Sequence, residues 1–121
     1  MWNIYAIVKL KVDDLQTLDE FIQAFHDNDV YTRRRVVDLL GARANPDAID
    51  FLITVLNDPE VEVRSRILYA LADIRDERAI PALEVVAQND KAEVSPGHKL
   101  NEIAEDMIAF IKRKQEDEAW S

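Results

Sequence analysis

The sequence predicts an all-α protein built as an α-solenoid, about three antiparallel helix pairs stacked side by side. Three observations carry this. The chain resembles itself at a lag of 31 residues. Each unit of that repeat holds two apolar stripes at helical spacing. The 121 residues include only 2 Gly and 4 Pro, too few to turn an all-β chain every ~10 residues.

With residues 29–59 set above 60–90, identities fall at Val30/Val61, Arg33/Arg64, Arg35/Arg66, Leu40/Leu71, Ala48/Ala79, Ile49/Ile80, Leu52/Leu83 and Val55/Val86. Average residue frequencies would give about two. The match reaches back to Leu18, Phe21, Ala24 and Phe25, which stand one lag before Ile49, Leu52, Val55 and Leu56. Four parts follow: a degenerate N-terminal unit (1–28), repeats at 29–59 and 60–90, and a C-terminal capping helix with an acidic tail (91–121).

Each element has its own signal. In the second repeat Val63, Ile67, Leu68 and Leu71 form one stripe, which ends near Arg75, and Ile80, Leu83, Val86 and Ala87 form another. The first repeat has Val36, Val37 and Leu40, then Ile49, Leu52, Val55 and Leu56. Asn45-Pro46-Asp47 supplies turn chemistry between its two helices, and Asp58-Pro59 separates the repeats. Pro96-Gly97 breaks the run before a last helix, Leu100 to about Lys114, with Leu100, Ile103, Ala104, Met107, Ile108 and Ile111 on one face. Glu116-Asp117-Glu118 is expected to fray, with Trp120 loose or packed back. From Trp2 to Val12 apolar residues alternate as in a strand. A helix capped by Asn3 is preferred there, because a lone strand in a helical stack has no partner within the chain; a strand would favour dimerisation through its open edge.

Asp58-Pro59-Glu60-Val61-Glu62-Val63-Arg64 and Asp76-Glu77-Arg78-Ala79-Ile80-Pro81-Ala82-Leu83 resemble the HEAT-like repeats of the phycobilisome-lyase type. The resemblance implies a HEAT-like superhelix. It leaves function open, because such repeats serve in bilin lyases, adaptors and scaffolds. It also implies a structural ladder of Asp27, Arg33, Asp58 and Arg64, each Asp six residues before its Arg. Arginine suits that task, since its rigid fork can join a carboxylate to free loop carbonyls. A phosphate-binding patch of Arg33, Arg34, Arg35, Arg64 and Arg66 is the less favoured reading, with Arg34, Arg35 and Arg66 expected to form a solvated basic edge. The ladder is expected to stop at the third copy, where Asn89 and Ser95 replace Asp58 and Arg64.

Chemistry is sparse. Cys is 0, which excludes disulfides and thiolate sites. His98 and Glu102 have an i, i+4 spacing, but a third ligand is missing, so neither a metal nor any other cofactor is expected. No nucleophile–base motif or Gly-rich loop appears, and a catalytic role is not expected. The balance of 15 Lys+Arg against 24 Asp+Glu, a net charge of -9, argues against nucleic acid or anionic lipid as a partner. No apolar run approaches the ~20 residues of a membrane span, and without a leader signal the expected location is cytoplasmic.

What remains is a surface. In a stacked helix-pair solenoid the second helices line the concave side, where partners usually bind. Their outward positions are Asp19, Gln23 and His26, then Asp50, Thr54 and Asn57, then Pro81, Val85 and Gln88, a ridge that contains no Lys or Arg and, His26 apart, is singled out as the partner-binding face. The reading is a non-enzymatic protein–protein interaction or scaffold module whose partner is a basic or amphipathic protein segment. The alternative, implied by the resemblance, is a bilin lyase subunit or chromoprotein-processing chaperone.

Overall fold

The structure, a computed structural model, describes residues 14–26 and 29–120. Asp27 and the segment of disputed helix or strand at 1–12 lie outside the described residues, as does the Trp120 side chain. The elements run α1 (Leu18–His26), α2 (Val30–Arg43), α3 (Ile49–Thr54), α4 (Val61–Ile74), α5 (Ile80–Asn89), a hairpin of β1 (Glu93–Ser95) and β2 (His98–Lys99), and α6 (Leu100–Trp120). Short 3-10 turns, Pro46–Ala48 and Glu77–Ala79, lead into α3 and α5. The result is an all-α solenoid of stacked antiparallel helix pairs with, among the described residues, one small hairpin.

Local chemistry sets the helix ends. Thr17 and Glu20 form a reciprocal capping box at the start of α1: Glu20 N donates to Thr17 Oγ1 and Thr17 N donates to Glu20 Oε1, each at 3.2 Å. Thr17 Oγ1 also donates to Glu20 Oε1 at 2.8 Å, and this bond first, then the one from Thr17 N, holds the Glu20 carboxyl below its ordinary range. The Asp29 side chain accepts from Thr32 N to cap α2, and Asn45 and Asp76 cap the two 3-10 turns in the same way. Both long helices close on a left-handed residue, Ala44 and Arg75, one lag apart. Pro59 does not begin α4: Glu60 is the N-cap and Val61 the first helical residue.

The repeated stripes make the core. Val36, Val37, Leu52, Ile67, Leu68, Leu71 and Leu83 are fully buried, and Phe25 meets Phe51 edge to face at 5.4 Å. The first helices α2 and α4 pack along their length, and Gly41 makes this possible. A Cβ there would lie 2.9 Å from Ala70 Cα, closer than real Cβ atoms come. Farther along, α5 and α4 both pack on α6.

Three expectations change at the C-terminal end and at the junctions. Pro96-Gly97 does more than break the run. It is the turn of the β1–β2 hairpin, with Gly97 at φ 82, a conformation side chains rarely adopt. Leu100 N then donates to Ala92 O at 2.9 Å, tying the start of α6 to the residue before the hairpin. The acidic 116–118 stretch does not fray, since α6 continues to Trp120. Nor does the ladder stop at Asn89. Arg33 Nε donates to Asp58 Oδ2 at 2.8 Å, and Arg64 Nε donates to Asp90 Oδ2 at 2.9 Å, one residue later than the strict lag requires. Arg64 does not bond the Asp58 carboxylate; its Nη1 donates to the Asp58 carbonyl at 2.8 Å. Each arginine therefore reaches forward to the aspartate ending the next second helix.

The basic edge is also altered. Arg34 pairs with Glu62 at 2.8 Å and Arg66 with Asp38 at 3.3 Å, so α2 and α4 are cross-linked by ion pairs over their outer face. At the C-terminal ends of the same two helices, Arg43 Nη2 donates to Leu15 O at 2.6 Å, and Arg75 lies over the Phe110 ring at 3.9 Å.

Candidate functional site on the second helices

All eight positions singled out on the second helices are exposed: Asp19 and Gln23 on α1, Asp50 and Thr54 on α3, Asn57 just after it, and Pro81, Val85 and Gln88 on α5. The structure brings three of them, Thr54, Asn57 and Val85, to one groove of about 530 Å³ between α3 and α5. Asp19, Gln23, Asp50, Pro81 and Gln88 lie outside its lining.

The groove follows from unequal helix lengths. α3 and α5 start in register, at Ile49 and Ile80, but α3 has 6 residues and α5 has 10. The chain turns at Val55–Asn57 while α5 runs on, which leaves α5 without a facing helix over its last turn. Thr54 marks the stop, its Oγ1 donating to Phe51 O at 2.6 Å. A side chain that returns a hydroxyl to its own preceding turn competes with helix continuation.

Ile53, Leu56, Ala82 and Val86 form the apolar part of the lining, and Asn89 and Asp90 stand with Asn57 at the polar part. Sequence reasoning missed Ile53, Ala82, Asn89 and Asp90, and took Leu56 and Val86 for core alone. The available signal was the pairing Asn57-Asp58 and Asn89-Asp90, one unit apart plus one residue. Val85 is 58% exposed, the most exposed large aliphatic side chain among the described residues. The other exposed large side chains, Tyr31 and Tyr69, lie on the first helices, where the Arg34 guanidinium stands 6.0 Å from the Tyr31 ring centre.

Charge around the site is less one-sided than the outward positions imply. Arg78, just before α5, binds Asp76 through Nε at 3.1 Å and Nη2 at 2.9 Å. These bonds hold the Asp76 carboxyl below its usual range. Asp76 first, then Asp50 and Asp47, hold the Arg78 guanidinium more firmly protonated. Asp50 therefore has a cation in its neighbourhood. Asp90 is committed internally, accepting from Arg64 and from Ala92 N at 3.3 Å.

Nothing in the site points to a metal: among the described residues no three His, Cys, Asp or Glu side chains cluster. His98 is on β2 while Glu102 is in the first turn of α6, so the i, i+4 pair does not share a helix. His26 is exposed and lies edge-on to Phe25 and Phe51. Among the described residues no helix is long and apolar enough to cross a membrane.

Comparison with known proteins agrees with the architecture. A family model of HEAT repeats matches residues 18–95, which takes in α1 to β1. No curated protein and no solved structure matches the chain.

Proposed function

Because the chain belongs to the HEAT repeat family, we propose that it is a non-enzymatic interaction or scaffold module that receives a protein segment on the face of its second helices. HEAT repeats commonly mediate protein–protein contacts. The observation that carries the reading is the apolar groove between α3 and α5 with Val85 exposed beside it. Apolar surface in a cleft is where a partner side chain gains most from leaving water. The net charge of -9, with carboxylates exposed at Asp19 and Asp50, favours a basic or amphipathic segment.

Apolar anchors set residence time, and rim charges set the encounter rate and its salt dependence. Against a partner isolated by affinity capture, Val85→Asp should therefore raise the dissociation rate at least tenfold. Asp50→Lys should slow association and flatten its dependence on salt. Surface-plasmon kinetics at two salt concentrations read both. Parent-like binding by the two variants, with loss of binding on charge reversal at Arg34 and Arg35, would move the interface to the first helices. The bilin-handling alternative has only the repeat resemblance behind it, and absorbance spectra after incubation with free bilin would test it.

A further inference from the structure

We infer that the groove takes its partner as an extended chain, whose main chain is held by the side-chain amides of Asn57 and Asn89. This rests on the groove being the docking site. Both asparagines line it, Asn89 as the last residue of α5 and Asn57 in the turn that follows α3. Each immediately precedes a ladder aspartate, Asp58 or Asp90, whose carboxylate is held by Arg33 or Arg64. The ladder thus fixes the backbone that carries both amides.

Neither amide is used up within the chain. Asn57 makes no hydrogen bond among the described residues and is exposed. Asn89 spends one Nδ2 hydrogen on Val85 O at 2.9 Å, which orients the group and leaves its Oδ1 open. An asparagine amide offers both a donor and an acceptor, the same pair that one peptide unit of an extended chain presents. The two asparagines stand at corresponding places in successive units, so a segment laid across the units meets both amides in turn and drops one side chain between Ile53 and Val86.

A helical partner would use the site poorly. Its main-chain groups are already bonded to one another, so it leaves both amides without a role. It also needs a row of anchors at i, i+4 and i+7, and the groove offers one basin. The charge of the occupant follows from a groove lining that includes Asp90 and no Lys or Arg, in a chain of net charge -9. The occupant is thus an extended peptide with one aliphatic side chain and a lysine or arginine near it.

The test pans a phage-displayed library of random twelve-residue peptides against the full chain and measures the enriched peptides by calorimetry and NMR. Expected are peptides with an aliphatic residue near a basic one, bound in extended form. Asn57→Ala and Asn89→Ala should each weaken them at least fivefold with unchanged melting temperature. Methylating the peptide nitrogen that meets Asn57 should cost tenfold in the parent and little in Asn57→Ala. Peptides bound as helices, or unaffected by both asparagine variants while Val85→Asp abolishes binding, overturn the extended-chain inference and leave the groove as the docking site. Binding indifferent to Val85→Asp, or no peptide enriched on the parent, overturns both.

Discussion

The first helices, α2 and α4, and the second helices, α3 and α5, come from the same repeat but meet their neighbours in different ways. Along the first helices everything is closed. Gly41 lets two backbones come together over Ala70, and Arg34–Glu62 and Arg66–Asp38 cross-link the outer surface. Along the second helices the stack opens, because α3 ends four residues before α5 does in register. Apolar side chains are left facing a groove there, with the Asn57 amide and the Asn89 Oδ1 beside them. The repeat therefore places its stability on one face and leaves binding chemistry available on the other. Substitutions should separate the two faces by what they change.

The largest effect belongs to the closed side of the core. Leu71 is fully buried on α4, and Leu71→Ala should destabilise by about 2–5 kcal/mol, the cost of a buried leucine truncated in a tight core. Leu52 on α3 is as deeply buried and should behave alike, since the groove opens above it rather than through it. Urea melts give the comparison. A loss below ~0.5 kcal/mol at Leu52 would mean that the open face reaches into the core.

Next comes the ladder, which joins the faces. The Arg33–Asp58 bond is largely sheltered, with 18% and 3% of the side chains exposed. A double-mutant cycle on Arg33 and Asp58 should give about 1–3 kcal/mol of coupling, and one on Arg64 and Asp90 a similar or smaller value. The cycle on Asp58 and Arg64 should give nearly none, because Arg64 holds the Asp58 carbonyl, which no side-chain change removes. Strong Asp58–Arg64 coupling would restore the pairing that the strict lag suggests.

These cases show what the sequence made legible. The core was, because burial repeats: Val36, Val37, Leu40, Leu71 and Leu83 all lie where the two stripes place them. The ladder was legible in its residue types and wrong in its last step. Periodicity assumes a constant unit length, and α5 carries one more residue before its aspartate than the lag allows. The hairpin was hidden because three residues, Glu93–Ser95, are too few to show alternation. A third of the groove lining was legible as outward positions: Thr54, Asn57 and Val85. The rest arises from the early end of α3 at Thr54, which no stripe announces.

A smaller effect tests charge on the closed face. Burial raises the pKa of Asp73, on α4, with nearby Asp38 adding to the rise and Arg75 opposing it. A carboxyl raised in the folded state binds its proton more tightly there than in the unfolded chain. Stability therefore falls as pH climbs from the ordinary carboxylate range through the raised value, and the charged form is a net cost at neutral pH. Asp73→Asn should match the parent in acid and become slightly more stable between pH 4 and 7. A stability difference that does not change over that window would show that Arg75 fully compensates the carboxylate.

The smallest expected effect is the sharpest test of the contrast. Val85 stands 58% exposed at the groove, so placing a charge there removes little buried apolar contact. Its carbonyl still accepts from Asn89 whatever the side chain. The α5 core contacts come from Leu83, across the helix, and from Val86, which is buried at the base of the groove. Val85→Asp should therefore shift unfolding free energy by no more than about 0.5 kcal/mol, the range of ordinary surface changes. The same substitution is expected to release the partner at least tenfold faster, so stability and binding would separate at a single residue. A destabilisation above ~1 kcal/mol would mean that Val85 packs into the body of the solenoid. The second-helix face would then be closed like the first, and loss of binding in that variant would report unfolding rather than a missing anchor.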